Sequence, residues 1–243
     1  MISTRERLIV ALDVSSCADA LKIVSSLGDS VQTYKVGMQL YTAKGPKIVR
    51  DLISAGKSVF LDLKYHDIPN TVAATVREAA HLGVSMMTVH ASGGTKMLRA
   101  AAEAARSSNS PPKILGVTVL TSMDENDLHE IGVSGQPVDQ VLKLAGIALA
   151  AGCDGIVSSA HEVRNLRTSF GQSFLAITPG VRPAGAAHGD QARVVTPAEA
   201  IAAGATHIVV GRPITAAPRP EAAIQSVLRE LEGAETVAGS ETT

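Results

Sequence analysis

Two carboxylates, Asp62 and Asp67, bracket the amine of Lys64 in FLDLKYHDIPNT, residues 60–71, at the end of an apolar run. Three charges in such a place are costly to bury unless they act on a ligand or on one another. Asp62 and Lys64 are two apart, so on a strand they share one face while Leu61 and Leu63 take the other. A lysine beside carboxylates is held protonated, since one opposite charge about 4 Å away is worth on the order of 4 kcal/mol at an effective dielectric near 20. Lys64 therefore reads as a proton donor. A Schiff-base aldolase fits poorly, because an imine-forming lysine needs apolar or cationic surroundings. Asp13, Asp62, Asp67 and His90 could offer ligands to a metal. Lys35 and Lys64 already supply the positive charge that an ion would bring, so no metal is expected.

Asp67 falls out of phase with the inward face. Pro69 restricts Ile68 to extended geometry, and Asn70 or Thr71 can cap the helix starting there. Asp67 is thus expected on a stiff, projecting loop, within reach of its own site or a neighbouring subunit's.

Eight short apolar runs position these residues: 8–14, 33–38, 58–65, 86–91, 113–120, 155–159, 174–180 and 207–213. Stretches of helical period lie between them, near 16–27, 45–55, 70–82, 93–106, 137–151, 160–170, 197–203 and 219–232, and Gly56, Gly83, Gly152 and Gly204 follow four of those helices as C-terminal caps. Such alternation predicts parallel βαβ units and a single-domain (β/α)8 TIM barrel over 1–232, with an open doubly wound sheet as the alternative. The polar segment 233–243 lacks periodicity and reads as a flexible tail.

A barrel places its active site at the C-terminal strand ends, and polar residues gather there. Asp13 ends the first run, Lys35 lies in the second, Thr121 and Ser122 follow the fifth, Arg182 follows the seventh, and Gly211 and Arg212 end the eighth. His90, Ser158 and Ser159 are read as structural polar residues at the same ends. In HIVVGRPIT, Gly211 lets backbone approach an anion and the Arg212 guanidinium can grip it, a phosphate site after the last strand. The long Gly- and Ala-rich segment PGVRPAGAAHGDQARVVTP reads as a lid over that anion, with Arg182 and Gln191 placed to close on it.

Composition narrows the partners. Lys plus Arg total 22 against 23 Asp plus Glu, so no basic field invites nucleic acid or anionic lipid. Aromatic residues are 2% of the chain, too few for base-stacking platforms. Cys17 and Cys153 form no paired framework, and the N-terminal segment fits neither a signal peptide nor a membrane span. A cytoplasmic protein with a small-molecule ligand is expected.

Together the segments ALDV, KVG, LDLKYHDIPNT, VHASGG, VTVLTSM, TPGVRP, GDQ and VGRPIT resemble the orotidine 5′-monophosphate decarboxylase family, in the family's order, from about residue 8 to 230. The resemblance implies decarboxylation of orotidine 5′-monophosphate (OMP) to uridine 5′-monophosphate (UMP) and CO2 without cofactor or metal, within pyrimidine biosynthesis. It further implies that Asp13 holds the ribose, Lys35 bridges ribose and charge array, Asp62 faces the substrate carboxylate, and Lys64 protonates C6. Asp67, Ile68 and Thr71 are implied to come from the second subunit of a homodimer with shared sites. Thr121 and Ser122 would contact the pyrimidine edge, and Arg182, Gln191, Gly211 and Arg212 the 5′-phosphate. Tyr65 stands where Phe or Leu is expected. Two rivals differ in class: a Mg²⁺-using sugar-phosphate decarboxylase or aldolase-like synthase on the same barrel, and a non-catalytic nucleotide-binding subunit.

Overall fold

The computed structural model describes residues 2–184 and 195–240. Among the described residues the apolar runs form eight strands: β1 (Leu8–Ala11), β2 (Thr33–Gly37), β3 (Ser58–Tyr65), β4 (Met86–His90), β5 (Lys113–Val117), β6 (Gly155–Val157), β7 (Leu175–Thr178) and β8 (His207–Val210). Neighbours pair in parallel in chain order and β8 closes onto β1. Closure excludes the open doubly wound sheet and defines a (β/α)8 barrel.

Helices Cys17–Leu27, Lys47–Ser54, Pro69–His81, Gly94–Arg106, Pro137–Ala150, Ala160–Phe170, Pro197–Ala202 and Pro220–Ser240 follow the strands in turn. Local chemistry starts several of them. Ser16 Oγ accepts from the Asp19 amide, and Thr196 with Glu199 forms a reciprocal capping box. Pro69 opens its helix after an extended Ile68, but neither Asn70 nor Thr71 caps it; both lie within the first turn, and Ile68 takes the N-cap position without a side-chain bond. Gly152 leaves its helix with φ +95°, a left-handed backbone that glycine adopts without strain.

The short helices Thr4–Arg7, Met38–Lys44, Glu125–Glu130 and Arg212–Thr215 have no counterpart in the sequence expectation, because one or two turns show too little of the 3.6-residue period. The last helix runs on to Ser240, so the backbone of 233–240 is helical and not the irregular tail expected. Strands also end sooner than their apolar runs. β1 stops at Ala11, β5 at Val117, β7 at Thr178 and β8 at Val210, and the residues beyond leave the ladder at the open end.

Side-chain alternation sorts the core into two layers. Leu8, Val10, Tyr34, Val36 and Leu61 face the helices, within the larger buried cluster. Ile9, Ala11, Phe60, Met86, Leu115, Ile177 and Val209 fill the barrel interior. Two residues past Ala11 and Phe60 stand Asp13 and Asp62, so the charges rest on a dry apolar floor.

At the opposite end His207 opens β8, packed above the Thr4–Arg7 helix. Its Nδ1 lies 2.9 Å from Thr206 Oγ1, while Arg7 Nη1 donates to the Thr206 carbonyl at 3.3 Å. Burial, followed by the Arg7 charge, pushes the imidazole from 6.5 down to about 4. The unfolded chain therefore binds the extra proton first, and stability present above pH 6.5 is lost as pH falls towards 4, on the order of 3 kcal/mol over the window. We expect urea midpoints measured from pH 7.5 to 4.5 to drop less for His207→Gln than for the wild type; parallel pH dependences would refute this role.

Candidate active site

The charged residues of β1, β2 and β3 meet in an alternating chain. Lys35 Nζ lies 3.0 Å from Asp13 Oδ1 and 3.6 Å from Asp62 Oδ2, and Lys64 Nζ lies 2.9 Å from Asp62 Oδ1. Two acids and two bases cancel in sum, while each cation keeps a carboxylate neighbour. The Asp62 and Lys35 side chains are each 13% exposed against 52% for Asp13, so the array dips from the rim into the barrel. Gly37 makes room for it, since a Cβ there would stand 2.9 Å from Lys35 Nζ and 3.3 Å from Asp13 Oδ1.

Simple alternation along β3 does not carry Asp62 to Lys64. Leu61 pairs with Met87 and Tyr65 with Val89, so β3 advances four positions while β4 advances two, and the excess forms a bulge holding both charges. Lys64 has φ +50°, the one positive φ among the described non-glycine residues. Such a backbone is disfavoured by about 1–3 kcal/mol and needs fixing by its surroundings. Thr88 of β4, fully buried, provides this: its hydroxyl accepts the Lys64 amide at 2.8 Å and donates to Asp62 Oδ1 at 3.1 Å.

Above the floor opens a cavity of about 260 Å³ at the C-terminal strand ends. Asp13, Lys35, Asp62, Lys64, Thr121, Arg182, Gly211 and Arg212, all singled out from sequence, border it. Arg182 and Arg212 stand at the β7 and β8 ends, and Val117, Val119, Val157, Pro179 and Val209 also line the cavity. Cations, carboxylates and an apolar lining in one chamber suit a ligand with an anionic group and a flat, weakly polar body.

Other expected residues lie elsewhere. Asp67, Ile68 and Thr71 are not in the cavity wall. Asp67 is exposed on the rim, with Oδ1 accepting from the Ile68 amide at 2.6 Å, and Ile68 is 66% exposed. Ser122, also exposed, sits on the turn beside Thr121 without bordering the cavity. Gln191 lies outside the described residues, as does most of the expected lid. What is described is the lid's base, where Val181 bridges Val195 and the Arg182 amide donates to the Val195 carbonyl at 2.9 Å.

His90 keeps a structural place outside the cavity. Its ring stacks on His66 at 5.3 Å between centroids, and Ser92 Oγ lies 2.6 Å from its Nδ1. Burial first, then His66 and Lys64, lowers its pKa. Ser158 departs from its structural reading, for it borders the cavity. Sequence reasoning missed Thr88, Gly37 and the valine wall. Thr88 had one available signal, a polar residue two before His90 on the inward face of an otherwise apolar strand.

A closed (β/α)8 barrel whose C-terminal mouth joins a lysine–carboxylate chain to two arginines has the makings of an enzyme acting on a small anionic substrate. Residues 6–227 match the model of the orotidine 5′-phosphate decarboxylase / HUMPS family. An orotidine 5′-phosphate decarboxylase of Halorhodospira halophila is 52% identical over 228 residues, covering 94% of this chain and 97% of that relative. One from Afipia carboxidovorans is 54% identical over 227 residues, covering 93% and 95%. The crystal structure of orotidine 5′-phosphate decarboxylase from Lactobacillus acidophilus superposes with a TM-score of 0.82 at 40% identity, covering 92% of this chain and 98% of that one. The chain belongs to the orotidine 5′-phosphate decarboxylase / HUMPS family.

Gly37→Ala tests whether the array must keep its spacing. The added methyl displaces the Lys35 ammonium, and misplacement near 1 Å can cost on the order of 100-fold in rate. We expect a loss of turnover of that order with little change in melting temperature, read by parallel kinetics and calorimetry; full activity would show that the array tolerates the shift.

Proposed function

We propose that this chain decarboxylates OMP to UMP and CO2 in pyrimidine biosynthesis, using its own side chains and no cofactor or metal. The observation that carries the proposal is the Asp13–Lys35–Asp62–Lys64 chain, which borders the same cavity as Arg182 and Arg212. The substrate named for the relatives joins a 5′-phosphate to a pyrimidine carboxylate through a ribose, and the arginines, apolar lining and lysines of this cavity offer a partner to each part.

In this reading Arg182, Gln191, Gly211 and Arg212 hold the phosphate, Thr121 and Ser122 meet the pyrimidine edge, and Asp13 with Lys35 holds the ribose. The C6 carboxylate then lies beside Asp62. The bond from C6 to the carboxyl carbon breaks, CO2 leaves, and the electron pair stays on C6. Lys64, 2.9 Å from Asp62, stabilises that charge and delivers its proton to C6, then regains one from solvent. Positive charge preorganised in a water-poor site stabilises the developing carbanion strongly, and the apolar floor supports this. Phosphate binding remote from C6 supplies binding energy that can be used at the reacting end of the substrate.

A homodimer completes the site in the same proposal. Asp67 and Ile68 are exposed and do not line their own cavity, and Met38, 55% exposed, and Leu120, 39% exposed, add apolar surface at that end of the barrel. The partner's cavity is where Asp67, Ile68 and Thr71 would act. Among the described residues no helix is long and apolar enough to cross a membrane, and both cysteines are unpaired, as suits the cytoplasm.

The decisive assay follows loss of OMP ultraviolet absorbance by the wild type and Lys64→Ala, each with and without EDTA. We expect EDTA-insensitive turnover by the wild type and a loss of several orders of magnitude in the variant. Absence of wild-type turnover rejects the proposal, and inhibition by EDTA rejects its metal-free chemistry. Mixing inactive Asp67→Asn and Lys64→Ala chains should restore part of the activity, because one of the two hybrid sites is intact; no recovery in proven heterodimers would place Asp67 in its own subunit's site.

A further inference from the structure

We infer that Thr88 is a positioning residue of the reaction, acting through both Asp62 and Lys64; the inference rests on the decarboxylase reading above. A threonine hydroxyl has one proton to donate and lone pairs to accept. Both capacities are used here on the two ends of one bulge: Oγ1 accepts from the Lys64 amide at 2.8 Å and donates to Asp62 Oδ1 at 3.1 Å. Asp62 Oδ1 is the same oxygen that receives the Lys64 ammonium at 2.9 Å. Thr88 thus closes a small ring through side chain and backbone, Thr88 to Asp62 to Lys64 Nζ and back through the Lys64 amide.

Two circumstances make the ring consequential. Lys64 is held at φ +50°, where a side chain larger than hydrogen meets its own carbonyl, so a fixed amide partner determines whether this conformer persists. Register is broken between Leu61 and Tyr65, so the regular ladder to β4 does not hold this stretch. In its place stands a side chain from β4 itself, fully buried and β-branched, with few rotamers to choose from. If the ring opens, the Lys64 backbone is free to relax and the ammonium moves away from C6, while phosphate and ribose contacts are untouched. Loss should therefore fall on kcat and leave KM nearly unchanged.

The test compares Thr88→Val, nearly isosteric but without the hydroxyl, with Thr88→Ser, which keeps it. We expect Val to lower kcat by about 10- to 100-fold, the scale of one lost hydrogen bond to a charged group at a reacting centre, with KM within about threefold, and Ser to restore kcat to within about threefold. Hydrogen exchange of the Lys64 amide gives a second readout independent of turnover: faster in Val, near wild type in Ser, with Phe60 and Leu61 amides unchanged in both. Thr88→Ala replaces Val in both readouts if Val does not fold. Equal kcat in Val and wild type, failure of Ser to rescue, or unchanged Lys64 exchange each overturns the inference. A wild type that does not turn over OMP rejects the decarboxylase reading, and the exchange comparison then still decides whether Thr88 fixes Lys64.

Discussion

Asp62 is the group on which the site depends. One largely buried carboxylate sits between two ammonium groups and accepts from a threonine hydroxyl, and each of its oxygens faces a lysine. Removing such a charge from water is expensive, and the expense is met here by near neighbours of opposite sign. The same arrangement keeps Lys35 and Lys64 from repelling one another across the barrel mouth. Without Asp62 two cations would crowd a small apolar chamber; without the lysines a lone carboxylate would be stranded above Phe60.

The barrel makes this concentration of charge possible. Its interior plug of Ile9, Ala11, Phe60, Met86, Leu115, Ile177 and Val209 excludes water from below, and the closed hydrogen-bonded sheet prevents the strands from splaying apart. Among the described residues the one positive non-glycine φ falls in the β3 bulge, where the backbone departs from regular pairing and holds Lys64 at the cavity. A stiff scaffold around a locally strained functional residue is the expected distribution, because strain persists only where its surroundings over-determine it. Relatives near 50% identity along almost the whole chain share the family, and the barrel is what that shared sequence builds.

Reading the sequence located the fold and the charged lining of the cavity, for identifiable reasons. Eight apolar runs alternating with amphipathic stretches have few compact solutions, and polar residues at run ends mark the mouth of the favoured one. Asp13, Lys35, Asp62, Lys64, Thr121, Arg182 and Arg212 were legible because charged or hydroxyl side chains break an apolar pattern at those ends, and Gly211 because a glycine beside an arginine lets backbone approach an anion. Thr88 was not, since a threonine inside a β-rich run is an ordinary strand residue until its partners are known. Gly37 was equally silent as a spacer, because its role is set by the Lys35 ammonium folding back over it. The valine wall could not be told from core, for the same residue type serves both.

Sequence alone determined which residues carry charge, their order along the chain and the period that makes a closed parallel barrel the natural solution, because these follow from local composition and spacing. The bulge, the left-handed Lys64 and the shared oxygen of Asp62 were decided only in three dimensions. Each depends on contacts between β3 and β4, whose paired residues are more than twenty positions apart, and no local pattern encodes a break in their register. Asp62 and Lys64 look two residues apart on an ordinary strand face; the barrel brings them together by abandoning that alternation.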